Sequence, residues 1–187
     1  PTDCVIMAMR HVMKDAPPAL VLSGINRGSN LAEDVTYSGT IAGAFEGTLL
    51  GVRSIALSQA FGLESSKGVR WHTGIKFGPG LISRLLAADW APGTCMNVNF
   101  PDREPDDVAG LRVTTQGRRD AGLLHLDERH DTWGNPYYWL AFERRRSTPA
   151  EGTDLSAIYQ GFISITPLSL DLTCRPSAEK LAKHLAR

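Results

Sequence analysis

Two textures of hydrophobic and polar positions alternate along the first hundred residues. Ala19 to Leu22, Arg53 to Ser58 and Cys95 to Pro101 are short stretches of mostly apolar residues. The first is continuous rather than alternating, as in a strand of a parallel sheet covered on both faces. Between these stretches the spacing turns helical. Thr2 to Lys14 places Val5, Ile6, Met9 and Met13 along one side and is closed by Asp15 to Pro18. A second helix is predicted from about Gly39 to Leu50, with Gly51 as its stop. A third covers Trp71 to Asp89, with Ile75, Leu81, Ile82, Leu85 and Leu86 on its apolar side; Gly78-Pro79-Gly80 is expected to kink or interrupt it. Strand and helix in alternation predict an α/β fold with a mostly parallel sheet.

After Pro101 the pattern loosens. Leu111 to Thr115 reads as a strand, Gln116 to Gly134 as charged, glycine-bearing loop or ribbon, and Pro136 to Phe142 as an aromatic strand. Glu143 to Gly152 is a charged loop and Thr153 to Ala157 a short capped helix. Gly161 to Pro167 is another strand, and Ser177 to Arg187 a terminal helix with Ser177 as its cap.

The candidate chemistry sits where the first strand gives way to the second helix. Ser23-Gly24-Ile25-Asn26-Arg27-Gly28-Ser29-Asn30 is a loop of small and amide residues, and Ser38-Gly39-Thr40 opens a helix that continues Ile-Ala-Gly-Ala. Backbone N–H groups without intrahelical partners, and the positive end of the helix dipole, make such a start an anion site. Asn30, Ser38, Gly39 and Thr40 are therefore the candidate phosphate cradle, and Ser38 is also a candidate N-cap. The small residues Ala42, Gly43 and Ala44 allow the helix to lie close to the sheet. Asn26 carries a hard neutral carboxamide oxygen suited to Mg²⁺, Mn²⁺ or Ca²⁺ beside carboxylates. Its other reading is a turn cap acting on its own backbone.

Composition narrows the partners. In 187 residues, 42% hydrophobic and 21% charged, twenty Lys and Arg balance twenty Asp and Glu. That neutrality gives no electrostatic case for a nucleic-acid polymer or an anionic membrane. No apolar run reaches the roughly 20 residues of a transmembrane helix, which makes the cytoplasm the expected setting. Cys4, Cys95 and Cys174 lack zinc-site spacing and read as buried small hydrophobes in a reducing compartment. Glu33 and Asp34 suit a solvated or helix-end role better than a metal site, and Glu46 suits a structural one. His125 and His130 are expected at the surface. Arg118 and Arg119 suit a solvated loop or a substrate phosphate. Tyr137 to Trp139 suit core, interface or stacking on a base.

These motifs together resemble the SurE family of metal-dependent 5'/3'-nucleotidases (survival protein E). The resemblance rests on Ser23 to Asn30, Tyr37-Ser38-Gly39-Thr40 with Glu46-Gly47, and Asn97-Val98-Asn99-Phe100-Pro101. It also rests on Ile165-Thr166-Pro167-Leu168 followed by Asp171 and Thr173, and on the opening Pro-Thr-Asp-Cys-Val. It implies the C-terminal portion of a Rossmann-like three-layer α/β domain for residues 1–101, and for 102–187 the remaining strands, an oligomerisation ribbon and a terminal helix. It further implies hydrolysis of nucleoside 5'- and 3'-monophosphates with one divalent ion, Mg²⁺ or Mn²⁺ with Ca²⁺ as a third option. Asn26 would be a metal ligand and Asn30, Ser38, Gly39 and Thr40 would hold phosphate, in a homodimer or homotetramer. The family's catalytic aspartate pair is expected upstream of Pro1. The alternatives are a non-catalytic nucleotide- or phosphate-binding module and a dinucleotide-binding oxidoreductase domain, the latter without a Gly-x-Gly-x-x-Gly loop to support it.

Overall fold

The computed structural model describes residues 1–62, 68–119, 124–142 and 148–186. Five strands form the main sheet: β1 (Val21–Arg27), β2 (Ser54–Gln59), β3 (Thr94–Phe100), β4 (Gly110–Val113) and β7 (Phe162–Ser169), in the order β1-β2-β3-β7-β4. β1, β2 and β3 run parallel; β7 is antiparallel to β3 and parallel to β4. The layer is thus continuous across Pro101, because β4 and β7 return to the sheet that the first hundred residues begin. The strands β5 (Leu124–His130) and β6 (Pro136–Phe142) pair antiparallel as a separate ribbon.

Period-two alternation sends successive residues of β2 and β3 to opposite faces. Ile55, Leu57, Met96, Val98 and Phe100 pack with Leu81 of α3 (His72–Ala87), joined by Ile163 and Ile165 of β7. On the other face Ala56, Cys95 and Leu168 meet Ile41 and Ala44 of α2 (Gly39–Leu49). Helix, sheet and helix make the three layers. The closest approach of α2 is made by glycine: a methyl on Gly47 would stand 2.5 Å from Ser54 Oγ, and one on Gly43 2.9 Å from Ser23 Oγ. Two of the three small residues foreseen at this contact, Gly43 and Ala44, are buried, and Gly47 extends the stripe.

Several local expectations are corrected. The first helix is α1 (Thr2–Met7) followed by a π-helical turn, Ala8–Val12, in which Met13 N donates to Ala8 O at 2.7 Å. Pro79 does not interrupt α3, which runs unbroken for 16 residues; proline removes one hydrogen bond, and the buried face of the helix (Thr73, Gly74, Gly78, Leu81) offsets it. The terminal helix, α5 (Arg175–Leu185), starts after Cys174 rather than Ser177, with Ser177 N and Ala178 N both donating to Cys174 O. Only Cys95 is buried; Cys4 and Cys174 are exposed. The short helix α4 (Asp154–Tyr159) is capped by Thr153 Oγ1, which accepts from Ser156 N at 3.3 Å.

Candidate functional site

β1 reaches further than its apolar run suggests. The strand continues through Ser23 and Asn26 to Arg27, so Asn26 lies within its last turn rather than beyond it. The extension needs glycine at one point: Gly24 has φ +125°, and a side-chain carbon there would fall 2.2 Å from Leu57 O of β2. Asn26 pairs in register with Ser58, and Ser58 with Asn99. A row of polar residues therefore crosses three parallel strands near their carboxyl ends, where open α/β sheets bind their ligands.

α2 aims its amino end at the same place. Ser38 has an extended backbone and its Oγ accepts from Ile41 N at 3.2 Å, which is the N-cap bond. The Gly39 and Thr40 N–H groups of the first turn have no intrahelical acceptor. Ser38, Gly39 and Thr40 share one open cleft of about 450 Å³ with Asn26 and Asn30, and Ser23 and Pro1 complete its wall. All five sequence-derived site residues come together here. Ser38 is the N-cap, and the capping serine also lines the cleft. None of the lining side chains carries a charge, so an anion there would be met by dipoles and donors alone.

Asn26 makes the turn contact that its backbone reading calls for. Its Nδ2 donates to Gly28 O at 2.9 Å, fixing the turn, and its Oδ1 has no hydrogen-bond partner among the described residues. That oxygen suits a hard divalent cation. The described residues contain no cluster of three His, Cys, Asp or Glu that could hold a metal. Asn26 therefore fits such an ion as one neutral ligand, and its carboxylate partners would have to come from outside the described residues.

Asn30, 6% exposed, is held from below. Its backbone N donates to Asn99 Oδ1 at 2.8 Å, and its carbonyl accepts from Asn97 Nδ2 at 2.8 Å and Asn99 Nδ2 at 3.2 Å. Its own Nδ2 donates to Ser58 Oγ at 2.7 Å. A hydroxyl can accept or donate, so a half-turn of the Asn30 amide keeps the Ser58 bond and presents the NH₂ to the cleft. Ser23, Asn97 and Asn99 stand in the sequence motifs without a role in the site, and Ser58 stands in none of them. A signal existed: Asn97 and Asn99 interrupt Met96, Val98 and Phe100 at period two, and a buried amide is costly unless its bonds are made.

The loop between Asn30 and Ser38 is anchored at the far side. Ala32 is fully buried at φ +51°, a left-handed conformation unfavourable for a residue with a side chain. Asp154 Oδ2 accepts its N–H, while Asp154 Oδ1 accepts from Gly117 N at 2.8 Å and Leu155 N at 2.7 Å. Burial pushes the Asp154 carboxyl above its ordinary range, against the pull of these three donors. Glu33 Oε2 accepts from Arg119 N at 2.7 Å, which together with the nearby guanidinium holds its carboxyl below the usual range. Asp34 forms an ion pair with Arg119. Glu33, Asp34 and Arg119 thus lock a loop outside the cleft wall. Arg118, His125 and His130 are exposed, and Glu46 is half-buried in α2.

The model of the family described as Survival protein SurE matches residues 1–122, nearly two thirds of the chain. The chain belongs to the SurE family. The 5'-nucleotidase SurE of Parvibaculum lavamentivorans is 56% identical over 181 residues, covering 97% of this chain and 65% of that protein. The 5'-nucleotidase SurE of Methylobacterium nodulans is 56% identical over 183 residues, covering 98% of this chain and 72% of its own length. The crystal structure of the SurE protein from Aquifex aeolicus superposes with a TM-score of 0.82 at 39% identity, over 100% of this chain and 73% of that one. The chain thus spans about two thirds to three quarters of the length of these SurE proteins.

Proposed function

We propose that this chain supplies the phosphate-holding part of a divalent-metal-dependent phosphomonoesterase that converts nucleoside 5'- and 3'-monophosphates to nucleoside and phosphate. The observation that carries the reading is the convergence of the free α2 amino end, the Ser38 and Thr40 hydroxyls and the Asn26 oxygen in one cleft. The names of the SurE relatives support the same activity.

A phosphate monoester dianion entering the cleft would be met by the Gly39 and Thr40 N–H groups and the Thr40 and Ser38 hydroxyls. Water attacks phosphorus in line, the P–O ester bond breaks, and the departing alkoxide takes up a proton. Negative charge grows on the non-bridging oxygens along this path, and fixed donors aimed there stabilise it without reorganising. A divalent ion, when bound, supplies Lewis acidity at a phosphoryl oxygen and a water of lowered pKa. Asn26 would be its ligand from this chain. Mg²⁺ and Mn²⁺ fit the hard oxygen donor best, with Ca²⁺ as a further option.

The same reading includes assembly into a homodimer or homotetramer. Its support is the ribbon of β5 and β6, where Leu126, Trp139 and Leu140 are all more than half exposed, and α5, which buries no residue. Free thiols at Cys4 and Cys174 suit a cytoplasmic setting, and no described helix is long and apolar enough to cross a membrane. Family membership leaves both the non-catalytic module and the oxidoreductase alternative without support.

The deciding experiment is phosphate release by the full-length protein from a panel of nucleoside monophosphates, with Mg²⁺, Mn²⁺, Ca²⁺ or excess chelator. Release that requires metal is the expected result. Undiminished release in chelator, or none under any condition, would remove the proposal.

A further inference from the structure

We infer that Asn99, seconded by Asn97 and Ser58, is the positioning residue of the phosphate cleft, setting the place of Asn30 without touching the substrate. The inference rests on the cleft being the phosphate site. Asn97, Asn99 and Ser58 are all fully buried, and by strand alternation they share the sheet face that α2 covers. That face offers them no water, so each polar atom must be answered by protein. Asn30 answers most of them. Its backbone N–H and C=O are both taken by Asn99, its carbonyl also by Asn97, and its side chain by Ser58. Asn99 Nδ2 also donates to Asn97 Oδ1 at 3.2 Å, so the two amides hold each other's rotamers.

The arrangement does more than satisfy polar atoms. A loop residue tied only through its side chain can pivot; one gripped at N–H, C=O and side chain cannot. Asn30 is gripped at all three points, from strands β2 and β3, each paired with a neighbour on both sides in the sheet. Asn97 and Asn99 lie 67 and 69 positions away in sequence, so the grip ties the β1 loop to the sheet centre. Apolar residues at 97 and 99 would cover α2 at lower desolvation cost. Two amides there make sense as a jig for a loop that must stand at a fixed distance from the α2 amino end.

The test uses the full-length protein with Asn99→Ala and, as a gentler change, Ser58→Ala. Three quantities are read: the melting curve, KM for a nucleoside monophosphate, and the Kd of inorganic phosphate by calorimetry. Misplacing a binding group by about an ångström can cost up to a hundredfold in rate. The expected loss here is about tenfold in KM and in phosphate Kd for Asn99→Ala and about threefold for Ser58→Ala, each with a cooperative melt. A purely structural role predicts a lowered melting temperature with KM and phosphate Kd unchanged, and that result overturns the inference. If Asn99→Ala does not fold, Ser58→Ala decides by the same criterion. A wild-type protein that binds phosphate yet releases none from nucleotides would remove the proposed function, while phosphate Kd would still judge the positioning role.

Discussion

Asp154 Oδ2 accepts the backbone N–H of Ala32 at 2.8 Å across 122 positions of the chain. With its other oxygen on Gly117 N and Leu155 N, one carboxylate ties together the loop that leads to Ser38, the segment after β4 and the start of α4. The bond also holds Ala32 in its left-handed conformation.

Replacing Asp154 by Ala should therefore destabilise the protein by roughly 3 kcal/mol, since it strands three N–H groups in or near the interior. Chemical denaturation of the two proteins measures this. A loss within experimental error of zero would show that water takes over all three donors.

Glu33 predicts a pH dependence of known sign. Its folded-state pKa lies below the unfolded value of 4.5, chiefly through the Arg119 N–H bond. The stability it contributes is present above the unfolded value and is lost as pH falls through the folded one. Wild type should exceed Glu33→Gln in melting temperature at about pH 7, and the gap should shrink as the pH falls below 4.5 and through the lowered folded-state pKa. A gap that persists or widens in acid would contradict the assignment.

Ser38 and Thr40 separate capping from binding. Ser38→Ala loses the bond from Ile41 N and should cost about 1 kcal/mol of stability. Thr40→Val removes a hydroxyl that serves no cap and should leave stability nearly unchanged. Both should lower kcat/KM, by about a hundredfold where a cleft donor is lost. Wild-type kinetics in both variants would confine the pair to helix initiation.

Asn26→Ala should weaken divalent-ion binding in the full-length protein, measured by Mn²⁺ titration calorimetry. The turn bond to Gly28 O is lost in the same variant, so its melting temperature is recorded alongside. Asn26→Asp, which keeps an oxygen at the same place and adds charge, should bind Mn²⁺ at least as well as wild type.

The sequence revealed the features that depend on neighbours in the chain. Ser38 before a run of small helical residues marks the start of α2, and Cys95 to Pro101 marks β3 to within one residue at each end. Helix ends were less legible, because local preference competes with packing. Gly78-Pro79-Gly80 predicts a kink or an interruption, but α3 runs on through Pro79 with its buried face against the sheet. Ser177 looked like a cap, yet α5 begins after Cys174. Asn26 was read as loop because the apolar run stops at Leu22, while pairing with β2 extends the strand to Arg27. Asn26, Asn30, Ser38, Gly39 and Thr40 were nameable from the sequence, since their residue types carry the chemistry. Asn99 and Asp154 were not, because what they do is decided by partners 69 and 122 positions away.

The placement of β7 has a consequence for how the molecule is made. Residues 162–169 insert between β3 and β4, so neither strand has its shared neighbour until that segment leaves the ribosome. During synthesis β3, which carries Asn97 and Asn99, waits with one ladder of N–H and C=O groups unpaired. A chain cut short before Phe162 has β3 as an open edge, a template for aggregation.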